Sequence, residues 1–135
     1  MFARAELDTV EVEGEERSVN HGDAGFTDAP ASGIRLLPYF DPYAVGSHPR
    51  SVLFPGRAAE RALGRGQAGV FPVVLVDGVV GGVWHLKRTG ARVALTVEPL
   101  VALPDRLDEC VERIGTVLEA TASVTIGTVT VGPHA

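Results

Sequence analysis

The dipeptide Asp77-Gly78 stands between two strand-like, valine-containing runs, Val70 to Val76 and Val79 to Lys87. Few local features constrain a chain more. Asp-Gly readily takes the two consecutive left-handed conformations of a type I′ turn, whose twist matches that of the strands it joins. The spacing therefore predicts an antiparallel hairpin. Thr89-Gly90 follows and introduces another strand, Ala91 to Glu98, which extends the hairpin to a three-stranded meander.

The remaining segments add strands and two helices. Glu6 to Val12 mixes acidic residues with Leu7, Val10 and Val12, as a half-buried edge strand does, and Glu15 to Val19 can pair back across Gly14. Residues 20–33 carry Gly, Asp, Ser, Thr and Pro, and are expected to form an exposed loop. Ile34 to Pro38 is a short apolar strand, after which Pro38, Pro42 and Pro49 are expected to keep Phe40 to Arg50 irregular. Arg57 to Arg65 is rich in helix formers and predicts one short helix ending near Gly64 or Gly66. Pro104 opens a longer helix reaching about Ala120, with Leu107, Val111, Ile114 and Leu118 on one face and Asp105, Asp108, Glu109 and Glu112 near its N-terminus. Ser123 to Val131 alternates again and is expected to close the sheet. The pattern predicts a mainly β (α+β) chain, a small antiparallel β-barrel or strongly bent sheet with one long C-terminal helix and one short helix.

Length and charge narrow the function classes. At 135 residues the chain has room for one domain, 1–135, with a real core. No apolar run approaches the ~20 residues of a membrane helix, and charges follow Met1 too early for a secretion signal. A cytoplasmic protein is expected. One cysteine, Cys110, permits no internal disulfide, and its helical setting suggests a plain buried or half-buried thiol. The net charge of −5 hides an uneven distribution. Met1 to Pro30 holds eight acidic and two basic residues, whereas His48 to Arg92 holds Arg50, Arg57, Arg61, Arg65, Lys87, Arg88 and Arg92 against Glu60 and Asp77. If the seven basic side chains share a face, that face can meet phosphate while the acidic end repels it; otherwise they are a solvated surface around an ordinary core.

Residues that could carry chemistry are sparse. His21, His48, His85 and His134 are scattered over loops, one strand and the terminus, so no nucleophile and base converge. No Cys/His set suits a metal, and no cofactor motif is present, because the Gly-rich stretches Gly64 to Gly69 and Gly81-Gly82 lack the Lys-Ser/Thr ending of a phosphate loop. They suggest turns and a bulge. Asp41, bracketed by Phe40 and Pro42, either faces a concave mouth as a functional carboxylate or fixes the turn by accepting backbone N–H groups. Tyr39, Phe40 and Tyr43 either stack on a base or close one end of the sheet; Trp84 suits the core. Tyr39, Asp41, Tyr43 and His48 make up the candidate functional loop.

Two blocks carry a resemblance. Ile34-Arg35-Leu36-Leu37-Pro38-Tyr39-Phe40-Asp41-Pro42-Tyr43-Ala44-Val45-Gly46 is similar to the LLPxFDPYLLG signature of the winged-helix DNA-binding-domain family that includes the crosslink-unhooking bacterial DNA glycosylases (AlkZ-like, YcaQ-like). Val74 to Trp84 resembles the later VLVDGxVVGxW hairpin of the same family, followed by the expected strand, Pro and long helix. The chain departs from the pattern at Val79, where members often carry a polar residue, and at His85, where Arg is usual. The resemblance covers Leu7 to about Val131 and implies the C-terminal barrel that follows tandem winged helices in such proteins.

The same resemblance implies what is missing. The glycosylases carry a catalytic Gln-x-Gln element in their winged-helix region, and this chain has a single glutamine, Gln67. The expectation is a non-catalytic accessory module. It would contact the backbone of duplex DNA through Arg50, Arg57, Arg61, Arg65, Lys87, Arg88 and Arg92, beside a winged-helix domain or chain. The alternative is a protein-interaction or small-ligand barrel that uses the Tyr39 to His48 mouth without DNA.

Overall fold

The computed structural model describes residues 6–25, 29–63 and 71–132. The chain divides into two compact units, Met1–Pro30 and Ala31–Ala135.

The first unit is a two-stranded antiparallel hairpin. β1 (Leu7–Val12) pairs with β2 (Glu15–Asn20) from Leu7 opposite Asn20 to Val12 opposite Glu15. Glu13 and Gly14 between them both have positive φ, 52° and 80°, as a type I′ turn requires. The half-buried face holds Asp8, Val10, Arg17 and Val19, with Val12 at its exposed end, while Leu7 lies on the opposite, exposed face. A carboxylate takes a place on the sheltered face because it has partners: Asp8 accepts hydrogen bonds from the Gly22 N–H (3.0 Å) and pairs with His21 Nδ1 (3.1 Å). The Gly22 N–H, and then His21, hold the Asp8 carboxyl below the usual range.

The second unit is an open five-stranded sheet in the order β3-β4-β5-β6-β7, with β3 Ile34–Leu37, β4 Val73–Val76, β5 Val79–Thr89, β6 Arg92–Pro99 and β7 Thr121–Ile126. The hairpin and meander form as expected, with Asp77 (φ 49°) and Gly78 (φ 85°) turning the chain between β4 and β5. The Asp77 carboxylate accepts the Gly33 N–H at 2.8 Å, which ties the turn to the start of β3. Between β4 and β5 the register shifts so that Val74 pairs with Gly82 and Leu75 with Val80, leaving Gly81 as the extra residue of a bulge.

Three sequence expectations need correction. The sheet is not closed into a barrel, since β3 and β7 each pair with a single neighbour. Nor is it wholly antiparallel: β6 and β7 run parallel, from Arg92 opposite Thr121 to Val97 opposite Ile126. The cause is the helix α4 (Leu107–Val117), which carries the chain back along the sheet before β7 begins, as a parallel pair demands. Finally, Phe40 to Arg50 is not irregular. It holds α1 (Pro42–Gly46) and reaches α2 (Arg50–Leu53), because Pro42 and Pro49 sit at helix starts, where a missing N–H costs nothing. The short helix expected over Arg57 to Arg65 is α3 (Arg57–Ala62); Arg65 lies outside the described residues.

Helices cover both faces, which explains why β4 is a continuous run of Val, Val, Leu and Val. On one face Leu107, Cys110, Val111 and Ile114 of α4 pack over Ile34, Val74, Trp84, Val93, Leu95 and Val97. On the other, Ala44, Leu53, Phe54, Ala58 and Ala62 from α1 to α3 pack over Val73, Leu75, Val80 and Val83, with Val129. Trp84 is buried, and its indole N–H donates to the Leu37 carbonyl at 2.8 Å. Trp84→Phe keeps most of the apolar area but leaves that carbonyl without this donor, so a loss of about 1 kcal/mol is expected in urea unfolding.

Candidate nucleic-acid interface

Alternation along the strands sorts the basic residues between faces. Trp84, Leu86, Val93, Leu95, Val97, Ala122 and Val124 all belong to the cluster beneath α4. Their neighbours therefore point the opposite way, toward the face that α1 to α3 cover only in part. Register then sets His85 beside Thr96 and Thr125, Lys87 beside Ala94 and Ser123, and Thr89 beside Arg92 and Thr121. His85 and Thr96 are half-buried and the other seven are exposed. This patch of β5, β6 and β7 carries two permanent cations, Lys87 and Arg92, as diagonal neighbours among five hydroxyls, and no carboxylate.

The carboxylate nearest the patch along β6 is neutralised. Glu98, paired with Val83 in the next row, receives both Nε and Nη2 of Arg61 at 2.9 Å and the Val129 N–H at 2.8 Å. Arg61 also donates to the Val129 carbonyl at 2.7 Å and lies 4.8 Å from the centre of the Phe71 ring. Hydrogen bonding from Arg61, reinforced by the Val129 N–H, holds the Glu98 carboxyl below the usual glutamate range despite partial burial. Arg61, grouped in the sequence reading with the phosphate contacts, links α3, β6 and the C-terminal segment through Glu98 and Val129.

The other expected residues also separate. Arg88 points to the α4 face, donating to the carbonyls of Gly90 (3.0 Å) and Leu118 (3.2 Å), the latter just past the last turn of α4, where a cation meets the negative end of the helix. The expected Lys87-Arg88/Arg92 cluster is thus split by parity. Arg50 and Arg57 are exposed on α2 and α3. Asp41 caps α1, accepting the Tyr43 N–H at 2.9 Å, which is the structural of its two readings. Tyr39 packs edge-on against Phe40 at 4.8 Å, and Tyr43 is 55% exposed with its hydroxyl donating to the Gly78 carbonyl at 3.3 Å. That bond brings the two sequence blocks together. His48 is exposed and lines a groove of about 350 Å³ with Tyr43, Pro49, Val52 and Gly78.

Sequence reasoning missed the hydroxyls of β7, although the alternation Thr121-Ala122-Ser123-Val124-Thr125 was a visible signal. It also missed the Arg61–Glu98 pair, for which separation by 37 residues gives no local signal. Chemically the patch can hold an anionic chain. Among the described residues no group of three His, Cys, Asp or Glu can hold a metal ion, and no helix is long and apolar enough to cross a membrane.

A model of the AlkZ-like DNA glycosylases matches residues 1–120. The chain belongs to the AlkZ-like family. An interstrand DNA cross-link repair glycosylase of Streptomyces sahachiroi is 36% identical over 83 residues, which make up 60% of this chain and 22% of that protein. The solved structure of the Streptomyces sahachiroi DNA glycosylase AlkZ superposes with a TM-score of 0.69 at 28% identity, covering 90% of this chain and 33% of the other. The AlkZ-like chain described here thus spans a third or less of the relatives it matches.

Proposed function

We propose that this chain is a non-catalytic, DNA-associated module of AlkZ-like repair, which contacts the DNA backbone while a winged-helix domain or chain supplies any chemistry. The observation that carries the reading is the sheet face with exposed Lys87 and Arg92, four exposed hydroxyls, the half-buried Thr96 and no carboxylate. Cations neutralise phosphates and Ser/Thr hydroxyls donate to their oxygens, contacts that position a protein without selecting a sequence. The net charge of −5 does not oppose this, because the acidic residues concentrate in Met1 to Pro30. Membership of the AlkZ-like family supports a DNA-repair setting for the module.

The test is fluorescence anisotropy of a labelled duplex titrated with the protein at low and moderate salt. Lys87→Glu/Arg92→Glu is expected to weaken binding roughly tenfold or more and to lower the salt slope by about two. Arg61 is unsuitable for the comparison because its replacement breaks the pair with Glu98. Absence of binding at low salt, or a double variant that binds like the parent, would sink the reading.

A further inference from the structure

The groove beside Tyr43 is at the opposite end of β5 from Lys87, next to the Asp77-Gly78 turn. Its lining includes Tyr43, 55% exposed, whose main chain and ring hydroxyl are each tied down. The Asp41 carboxylate binds its backbone N–H, and its hydroxyl donates to the Gly78 carbonyl. An exposed aromatic ring on a fixed frame loses little further freedom when a flat partner stacks on it. Pro42, Pro49, Leu53 and Val52, the last 47% exposed, also line the groove and make its lining largely apolar. Ser47 and His48 add polar side chains to the lining.

Charge narrows the occupant further. No carboxylate lines the groove, and the two nearest in sequence, Asp41 and Asp77, are tied to the backbone N–H groups of Tyr43 and Gly33. Arg50 follows Pro49 directly, and its Nη2 lies 3.5 Å from the Val45 carbonyl, just before Gly46 and Ser47 of the groove. A flat ring, polar side chains and a neighbouring cation match one chemical unit, a nucleotide. We propose that the groove receives an unpaired nucleobase, stacked on Tyr43, with a flanking phosphate on Arg50. The choice of a nucleic-acid strand as its source rests on the DNA-binding reading above; base stacking on an aromatic side chain is tolerant of sequence and suits a module without base readout.

The experiment compares an intact labelled duplex with the same duplex carrying a central three-base bubble, by anisotropy. The bubble is expected to bind roughly tenfold more tightly, Tyr43→Ala to erase that difference, and Tyr43→Phe, which keeps the ring, to preserve it. Thermal unfolding of each variant guards against loss of fold. In the unaltered protein, amide shifts at Gly46, Ser47, Val52 and Gly78 are followed during titration with the bubble and with adenosine 5′-monophosphate. Shifts centred on these amides with the bubble support the proposal. A bubble that binds no better than the duplex overturns it, and so does Tyr43→Phe failing as badly as Tyr43→Ala. Shifts with the free nucleotide alone would reassign the groove to a soluble ligand. A duplex still weakened by Lys87→Glu/Arg92→Glu in any of these cases leaves the DNA-binding reading standing, whereas loss of all DNA binding removes both.

Discussion

Gly82→Ala is expected to destabilise the protein by about 3 kcal/mol, the upper end of what forced overpacking costs. The residue pairs with Pro99 across β5 and β6, and a Cβ added to it would sit 2.6 Å from the Glu98 carbonyl oxygen and 3.3 Å from the Pro99 Cα. Both obstacles are backbone, so the strands must part at the point where β4, β5 and β6 are hydrogen-bonded together. Gly81 next to it also admits no Cβ without movement, but there the nearest atoms, at 2.7 and 2.9 Å, are methyl groups of Val101 and Val76. Val101 is 49% exposed and can turn away. Thermal unfolding is therefore expected to show a midpoint lowered by roughly 10–15 °C for Gly82→Ala, and by clearly less for Gly81→Ala. Equal effects at the two positions would refute the close-approach argument.

Glu98→Ala is expected to cost about 3 kcal/mol as well, because it removes three hydrogen bonds at once and strands the Arg61 guanidinium between α3 and the C-terminal segment. The Arg61 and Glu98 side chains are only 26% and 17% exposed, so water compensates little. The pair also sets a pH dependence. Glu98 has a lower pKa in the folded chain than in the unfolded one, so the unfolded state takes up its proton first as pH falls. The stability it contributes is complete above the usual glutamate range and fades below about pH 4.5. Glu98→Gln is expected to lower stability at pH 7 and to flatten that part of the acid limb. Asp8 and Glu109 also have lowered values but are present in both proteins, so subtracting the variant's curve from the parent's isolates Glu98. An unchanged acid limb in Glu98→Gln would contradict the assignment.

The parts of this molecule legible in the sequence are those fixed by neighbours a few residues apart. Asp77-Gly78 could turn the chain because those two residues tolerate positive φ, and the extra glycine at Gly81 marked the bulge beside it. The apolar spacing of Leu107, Val111 and Ile114 announced α4, although its ends, Leu107 and Val117, lie inside the expected span, bounded by the left-handed Arg106 (φ 90°) before it and Glu119 (φ 50°) after it. In the candidate site, parity along β5 and β6 was already enough to separate Lys87 and Arg92 from Arg88. Counting cations by segment overlooked it, and so gathered residues that point to opposite faces.

What the sequence by itself determined is the central hairpin and meander, the helices α3 and α4, and the mainly β class with helices; the two blocks that mark the family came from resemblance. The turn, the strands and the helices follow from steric preferences and periodicity, which act over a single turn or strand. Only the tertiary structure decided that the sheet stays open, that β7 lies parallel to β6, and that Arg61 pairs with Glu98 while Lys87 and Arg92 face outward. Those outcomes depend on where α4 returns the chain and on which distant charges come within hydrogen-bonding distance. Such contacts form when apolar faces are buried against one another, and their partners carry no mark in the local sequence.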